Sequence, residues 1–112
     1  MGEIKARAES YFIRIGDGHR NAVKRPWDLR VDRSLRAMVE FANHNGDCIV
    51  NDGEGYFRPI PGDQVDRLAL NSYFRKEESR IKKEQLKLES MKQTYEGWRK
   101  EALYADHSRK TE

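Results

Sequence analysis

The chain has 112 residues, of which 37% are charged and 37% hydrophobic, and its mean hydropathy is -1.00. This length allows one compact domain with an extension and excludes a second large core. The 22 basic and 19 acidic residues leave a net charge of +3, which permits binding to a polyanion without demonstrating it.

The residue types also restrict the cellular setting and the chemistry. Cys48 is the only cysteine, so an intramolecular disulfide and a cysteine-rich zinc site are excluded, and a reducing, cytoplasmic location is expected. No run approaches the roughly 20 apolar residues of a membrane span, and no signal peptide is recognised, so we expect no membrane partner. The three histidines lie in different predicted elements, and no phosphate-binding glycine loop or metal motif occurs. We therefore predict no catalytic site, metal or cofactor.

The amino-terminal part is predicted to contain one strand and one short helix. Residues 1–10 are polar and small, which indicates a frayed start with at most a helical turn. The run 11–15 is rich in β-forming residues and precedes a glycine-containing turn at 16–18, which predicts a strand. Residues 19–29 have room for one short helix, whose length Pro26 limits.

The centre of the chain predicts a helix and a β-hairpin. Asp32 is a favourable N-cap and is followed by apolar residues at helical spacing, which predicts a helix over 33–44. Residues 48–50 and 56–58 are predicted strands, joined by a turn at 51–55. A strand, a helical region, a helix and a hairpin form the element order of a winged helix.

The carboxyl-terminal part predicts one long, highly charged helix. From residue 63 to 104 there is no proline and the only glycine is Gly97, near which the helix is the most readily broken. The stripe that recurs with heptad spacing consists of Leu70, Phe74, Ile81, Leu88, Met91, Tyr95 and Trp98. Because an isolated helix cannot bury such a stripe, we predict a homodimer through a coiled coil, with folding back on the domain as the alternative. Glu77 and Glu84 place charged side chains in the stripe and interrupt it.

A set of short motifs gives a more specific expectation. Gly18-His19 followed by Asn21-Ala22-Val23, the pair Asp32-Arg33 with Arg36, Gly46, and Gly55-Tyr56-Phe57-Arg58-Pro59 together resemble the small winged-helix proteins encoded by phages and prophages of Gram-positive bacteria. The resemblance covers roughly residues 16–60. It implies an α+β winged helix-turn-helix domain at 1–62, followed here by the long helix at 63–105 and a disordered tail at 106–112. The segment 24–31 is shorter than the helix and turn of that family, which puts standard groove docking in doubt.

The predicted nucleic-acid-binding residues are basic or amide side chains of the helix, the segment before it and the hairpin: Arg20, Lys24, Arg25, Arg30, Arg33, Arg36, Asn43 and Arg58. Trp27 lies among them and is expected to be a core residue of so small a domain, although an indole also stacks on bases. Glu40 and the acidic hairpin tip, with Asp52 and Glu54, disfavour contact with DNA phosphates.

Two functions follow from these features. The first is a phage-type winged-helix protein that binds double-stranded DNA and regulates transcription or replication of a mobile element. The second is a phage-encoded inhibitor of the anti-CRISPR type, which uses the same scaffold to bind a host nucleic-acid-handling protein. The family resemblance and the basic residues favour the first, whereas the acidic hairpin and the short segment at 24–31 favour the second.

Overall fold

The computed structural model describes the backbone of residues 2–110 and the side chains of residues 2–105. This part of the chain is an α+β structure with three α-helices and three strands, as the sequence predicts in outline. The elements are α1 (Gly2–Phe12), β1 (Val23–Lys24), α2 (Leu29–His44), β2 (Val50–Asn51), β3 (Gly55–Phe57) and α3 (Gln64–Lys110), with a 3₁₀ helix at His19–Asn21. They form two compact units, Met1–Arg75 and Lys76–Glu112.

The strands form one antiparallel sheet in the order β1-β3-β2. The predicted hairpin is confirmed, because β2 pairs with β3 and places Val50 opposite Phe57. β3 is the central strand, and its neighbouring side chains Tyr56 and Phe57 are only 2% and 0% exposed. Since successive side chains of a strand point to opposite faces, both faces of the sheet are covered at β3.

The predicted strand at 11–15 is wrong, and the frayed start at 1–10 is also wrong. Both segments contribute to α1, which ends at Phe12. The reason is tertiary packing: Ala8 is fully buried in a core that includes Leu35 of α2, and Ile4 and Phe12 pack against that core. Residues at such spacing share one face of a helix, so burial against α2 overrides the β-propensity of the aromatic run.

The segment between α1 and α2 also differs from the prediction. In place of a helix over 19–29 there are only the 3₁₀ helix and β1 before the buried Pro26. A helix-turn-helix needs two helices joined by a short turn, whereas residues 13–28 separate α1 from α2 without an α-helix. This is the part of the chain where the sequence is shorter than the winged-helix pattern.

The predicted helix over 33–44 is confirmed, but its start is not where the sequence placed it. α2 begins at Leu29, and its N-cap is Asp28, whose carboxylate accepts a hydrogen bond from the backbone N–H of Arg30 at 2.9 Å. Asp32 is therefore not a cap. It lies one turn inside the helix and is 1% exposed.

The predicted long helix is present: α3 is a single helix that passes Gly97 without a break. It ends at Lys110, beyond the predicted end at 105, and residues 111–112 of the predicted tail lie outside the described residues. None of the described helices has a stretch that is long and apolar enough to cross a membrane.

Gly55 allows β1 and β3 to approach closely, which gives a first testable prediction. A Cβ at Gly55 would lie 2.6 Å from the carbonyl oxygen of Val23, a backbone atom that β1 cannot move without losing its pairing with β3. Gly55→Ala is expected to lower the free energy of unfolding by about 2 kcal/mol in urea denaturation. Gly16→Ala is the control, because its nearest neighbour would be 3.9 Å away; an equal loss in both variants would contradict the steric explanation.

Candidate functional site

A buried carboxylate organises the exposed side of α2. Asp32 Oδ2 accepts a hydrogen bond from Arg25 Nη2 at 2.8 Å and lies 3.4 Å from Arg36 Nε, while Oδ1 accepts from the Tyr56 hydroxyl at 3.2 Å. The Asp32 side chain is 1% exposed, but those of Arg25 and Arg36 are 39% and 57% exposed. Asp32 therefore fixes two guanidinium groups next to each other at the surface.

The same contacts shift the pKa values of the buried partners. Burial by itself would raise the pKa of Asp32, but the hydrogen bond and charge of Arg25, with smaller contributions from Tyr56 and Arg36, outweigh it and lower the pKa. Burial and the negative charge of Asp32 raise the pKa of Tyr56 to about 12. At neutral pH Asp32 is thus ionised and Tyr56 is a hydrogen-bond donor.

Further basic residues lie before and along α2, and we call the set that they form with this pair the arginine surface: Lys24, Arg25, Arg30, Arg33 and Arg36. Arg30 is paired with Asp28 at 3.4 Å, and its side chain is 72% exposed. Lys24 and Arg33 are exposed, and neither side chain has a hydrogen bond or an ion pair within the described part of the chain. Arg20 is exposed on the 3₁₀ helix.

Trp27 lies in the loop between Arg25 and Arg30 and is 86% exposed, so the prediction that it is a core residue is wrong. Leu29 beside it is 74% exposed. Its neighbour Pro26 is buried instead. The loop before α2 thus presents apolar as well as basic side chains to solvent.

Two of the predicted nucleic-acid-binding residues are engaged within the domain. The Asn43 amide donates to the carbonyl of Ile49 at 3.0 Å and accepts from its N–H at 2.7 Å. Arg58 donates to both oxygens of Asp47 at 2.8 Å and also to the Ile15 carbonyl, and its hydrogen bond lowers the pKa of Asp47. Neither side chain joins the arginine surface.

The hairpin remains acidic in the folded domain. Asp52 and Glu54 are exposed at its tip, and the Asp52 carboxylate accepts from the N–H groups of Glu54 and Gly55 at 3.0 and 3.1 Å. Asp52 is therefore ordered by the turn itself. The hairpin offers no basic side chain at its tip for a phosphate.

A second candidate surface is an open apolar groove between α1 and α2, with a volume of about 1040 Å³. It is lined by Ile4 and Phe12 from α1 and by Ala37, Met38, Phe41 and Ala42 from α2, with others. Phe41 is 72% exposed, which is unusual for so large an apolar side chain. Sequence periodicity assigned Met38 and Ala42 to the core but did not show that the groove between the helices stays open.

A buried aspartate also fixes the start of α3. Asp66 Oδ1 accepts from the N–H and the Nδ1 of His19 at 3.0 and 2.5 Å, and Oδ2 accepts from the N–H of Ile60 at 2.8 Å. Asp63 caps the helix, since its carboxylate accepts from the Asp66 N–H at 3.0 Å. His19, Asp63 and Asp66 have ligand atoms within 4.8 Å of one another, but their hydrogen bonds to the turn account for this geometry, and we assign no metal to it.

The two buried carboxylates predict acid sensitivity. For Asp66, as for Asp32, burial favours the protonated form, but hydrogen bonds from Ile60 and His19 outweigh it and lower the pKa. A folded pKa below the ordinary value of 3.8 means that the stabilisation is complete above that value and is lost as pH falls through the folded pKa. In urea denaturation, the contribution of these two carboxylates to the free energy of unfolding should stay constant down to about pH 5 and decline below about pH 4. An equal decline in the Asp32→Asn/Asp66→Asn variant would contradict this assignment.

The predicted heptad residues lie on α3. Leu70 is half-buried and Phe74 is 45% exposed in the first unit. In the second unit the remaining members are all at least half exposed: Ile81, Leu88, Met91, Tyr95 and Trp98. The stripe beyond Arg75 is therefore open in the single chain.

The sequence matches no protein-family model, and no curated protein or solved structure is similar to it. The resemblance of residues 16–60 to phage winged-helix proteins thus stays a prediction.

Proposed function

We propose that the protein binds double-stranded DNA through the arginine surface and acts as a non-enzymatic regulator of transcription or replication of a mobile element. The observation that carries this proposal is the placement of Arg25 and Arg36 on one buried carboxylate, Asp32. Two exposed guanidinium groups in fixed positions match the planar, charge-assisted contacts that arginine makes with phosphate.

The charges of this surface favour an anionic partner. Its five basic side chains outnumber three acidic ones: Asp28 and Asp32, which pair with Arg25, Arg30 and Arg36, and the exposed Glu40 one turn after Arg36. The positive excess includes the unpaired Arg33 on the exposed side of α2, which is able to reach a phosphate or the edge of a guanine. The adjacent Trp27 and Leu29 offer apolar contact with sugars or thymine methyl groups.

In this proposal α2 enters the major groove and the loop before it contacts the backbone. The order β1, α2, β2 and β3, with β3 central in the sheet, supports a winged-helix-like scaffold in which a loop replaces the helix that normally precedes the recognition helix. In this orientation the acidic hairpin makes few contacts with the DNA phosphates, or none. The arginine surface, rather than the wing, therefore supplies the binding energy.

The test is the affinity for a labelled duplex of random sequence, measured by fluorescence anisotropy between low and moderate salt. Binding should weaken steeply with salt because neutralised phosphates release counterions. Arg33→Ala should weaken it further and reduce the slope of log K against log salt by about 0.9. Arg75→Ala, an exposed arginine on α3 outside both candidate surfaces, is the matched control and should change little. Absence of binding at low salt would reject the proposal.

The α1–α2 groove favours a second candidate, an inhibitor that docks on a host nucleic-acid-handling protein. Exposed apolar surface rimmed by polar residues is typical of protein-binding sites, and Phe41 provides a large side chain for a partner pocket. Adding the protein to a cleavage reaction of an RNA-guided nuclease tests this function. Phe41→Asp should then abolish inhibition while Arg33→Ala preserves it, whereas inhibition by DNA binding would be weakened by Arg33→Ala and kept by Phe41→Asp.

A further inference from the structure

The unit Lys76–Glu112 carries a large apolar stripe on a helix that is its only described element. Ile81 and Leu88 are each 50% exposed, Met91 is 60%, Tyr95 is 62% and Trp98 is 64% exposed. These positions follow the alternating three- and four-residue spacing of a heptad seam. A stripe of this kind becomes buried only when a second helix covers it.

We infer that the covering helix is α3 of a second copy of this chain, aligned antiparallel, with Leu88 opposite Met91 of the partner subunit. This inference is independent of the proposed DNA binding. The same alignment places Ile81 opposite Trp98 of the partner subunit. By the two-fold symmetry of the pair, each of these apolar layers occurs twice, once on either side of the centre.

The glutamates of the seam select the antiparallel direction. In a parallel, in-register pair, Glu77 and Glu84 would each face the same carboxylate of the partner, and flanking Lys87 would face Lys92. In the antiparallel alignment, Glu84 faces Tyr95 of the partner subunit, whose hydroxyl is able to donate a hydrogen bond to the carboxylate.

Glu77 lies at the end of the paired region in this alignment. It faces Ala102 of the partner subunit, whose small side chain leaves the carboxylate in contact with water. Within its own helix Glu77 already pairs with Arg80 at 2.5 Å, just as Glu84 pairs with Lys87 at 3.0 Å. Each of the two seam glutamates therefore keeps a basic neighbour when the helices pair.

The residues that flank the seam fix the register. In the proposed alignment Glu78 faces Arg99 of the partner subunit, and Arg80 faces Glu101, so that both flanking contacts join opposite charges. A shift by one heptad in one direction would place Lys87 against Lys87 of the partner subunit. A shift in the other direction would place Lys92 against the partner's Lys92. Each neighbouring register thus has one contact between like charges and only two between opposite charges, whereas the proposed register has four between opposite charges and is favoured.

Sedimentation velocity of the full chain tests the pairing. The wild-type chain should form a dimer whose fraction rises with concentration. Leu88→Asp should raise the dissociation constant by roughly a hundredfold, because it places a carboxylate in a central apolar layer. Leu86→Asp is the matched control: Leu86 is 57% exposed but lies on the side of α3 opposite the seam, and the dimer should persist. A wild-type monomer, a higher oligomer, or equal effects of the two variants would overturn the inference.

The distance between spin labels tests the direction. A label on Ser79→Cys in a Cys48→Ser background lies outside the seam. Because Ser79 is level with Lys100 of the partner subunit in the antiparallel alignment, the labels should be separated by roughly 30 Å or more at about 1.5 Å per residue. A parallel pair would bring them to the same level, at about 20 Å or less, and that result would overturn the alignment.

Charge reversal tests the register. Glu78→Arg alone should weaken the dimer several-fold, since it places two basic groups together. Combining it with Arg99→Glu should restore the dissociation constant to near the wild-type value. Failure of the double variant to recover would overturn the register even if the helices pair.

Discussion

Asp66→Ala is expected to lower the free energy of unfolding by about 3 kcal/mol. The Asp66 side chain is fully buried, and its oxygens accept hydrogen bonds from the backbone N–H groups of His19 and Ile60. Alanine supplies no acceptor, so these two donors lose their partners while the segment at 58–60 and the 3₁₀ helix remain next to α3. The cost of unsatisfied donors, rather than of the His19 ion pair, makes this change large.

Asp63→Ala is the matched control, because Asp63 lies in the same turn but its carboxylate accepts a single hydrogen bond among the described residues, from the N–H of Asp66 at 3.0 Å. Loss of this cap should cost about 1 kcal/mol. Both variants are to be compared with the wild-type chain by urea denaturation at neutral pH. If Asp66→Ala costs no more than Asp63→Ala, the buried acceptor role of Asp66 is not supported.

The elements that could be predicted from the sequence are those with a strong local signal. The helix over 33–44 has apolar residues on one face, the hairpin has turn residues at 51–55, and α3 has no proline over its whole length. Each signal lies within the element itself. The N-terminal helix lacked such a signal, because Tyr11 and Phe12 favour a strand and only burial against α2 makes them helical.

The residue types of the candidate site could be predicted from the sequence, but their contacts could not. Arg25 and Arg36 were recognised as basic residues, yet nothing local indicated that both would contact Asp32. Asp28 and Asp32 are equally good caps by residue type, and only the fold decides which one is buried. The residue type of Asn43 predicts nucleic-acid binding, whereas its bonds to Ile49 depend on how the chain returns after α2.

Asp32→Ala is the second change with a large expected effect. The buried Tyr56 hydroxyl loses its acceptor, and Arg25 and Arg36 lose the charge that fixes them, although both remain solvated. We expect the free energy of unfolding to fall by about 3 kcal/mol. Tyr56→Phe removes only the hydroxyl contact and should cost about 1 kcal/mol, measured in the same urea titration.

The isosteric Asp32→Asn variant tests whether DNA affinity depends on the positions of Arg25 and Arg36 or only on the net charge of the arginine surface. It removes one negative charge from the arginine surface, so a surface that acted only through its net charge would bind a duplex more tightly. If the positions of Arg25 and Arg36 matter, affinity should instead fall roughly tenfold, because two oriented contacts become mobile. Tyr56→Phe leaves both guanidinium groups in place and should keep wild-type affinity. Tighter binding by Asp32→Asn would show that Asp32 serves the fold alone.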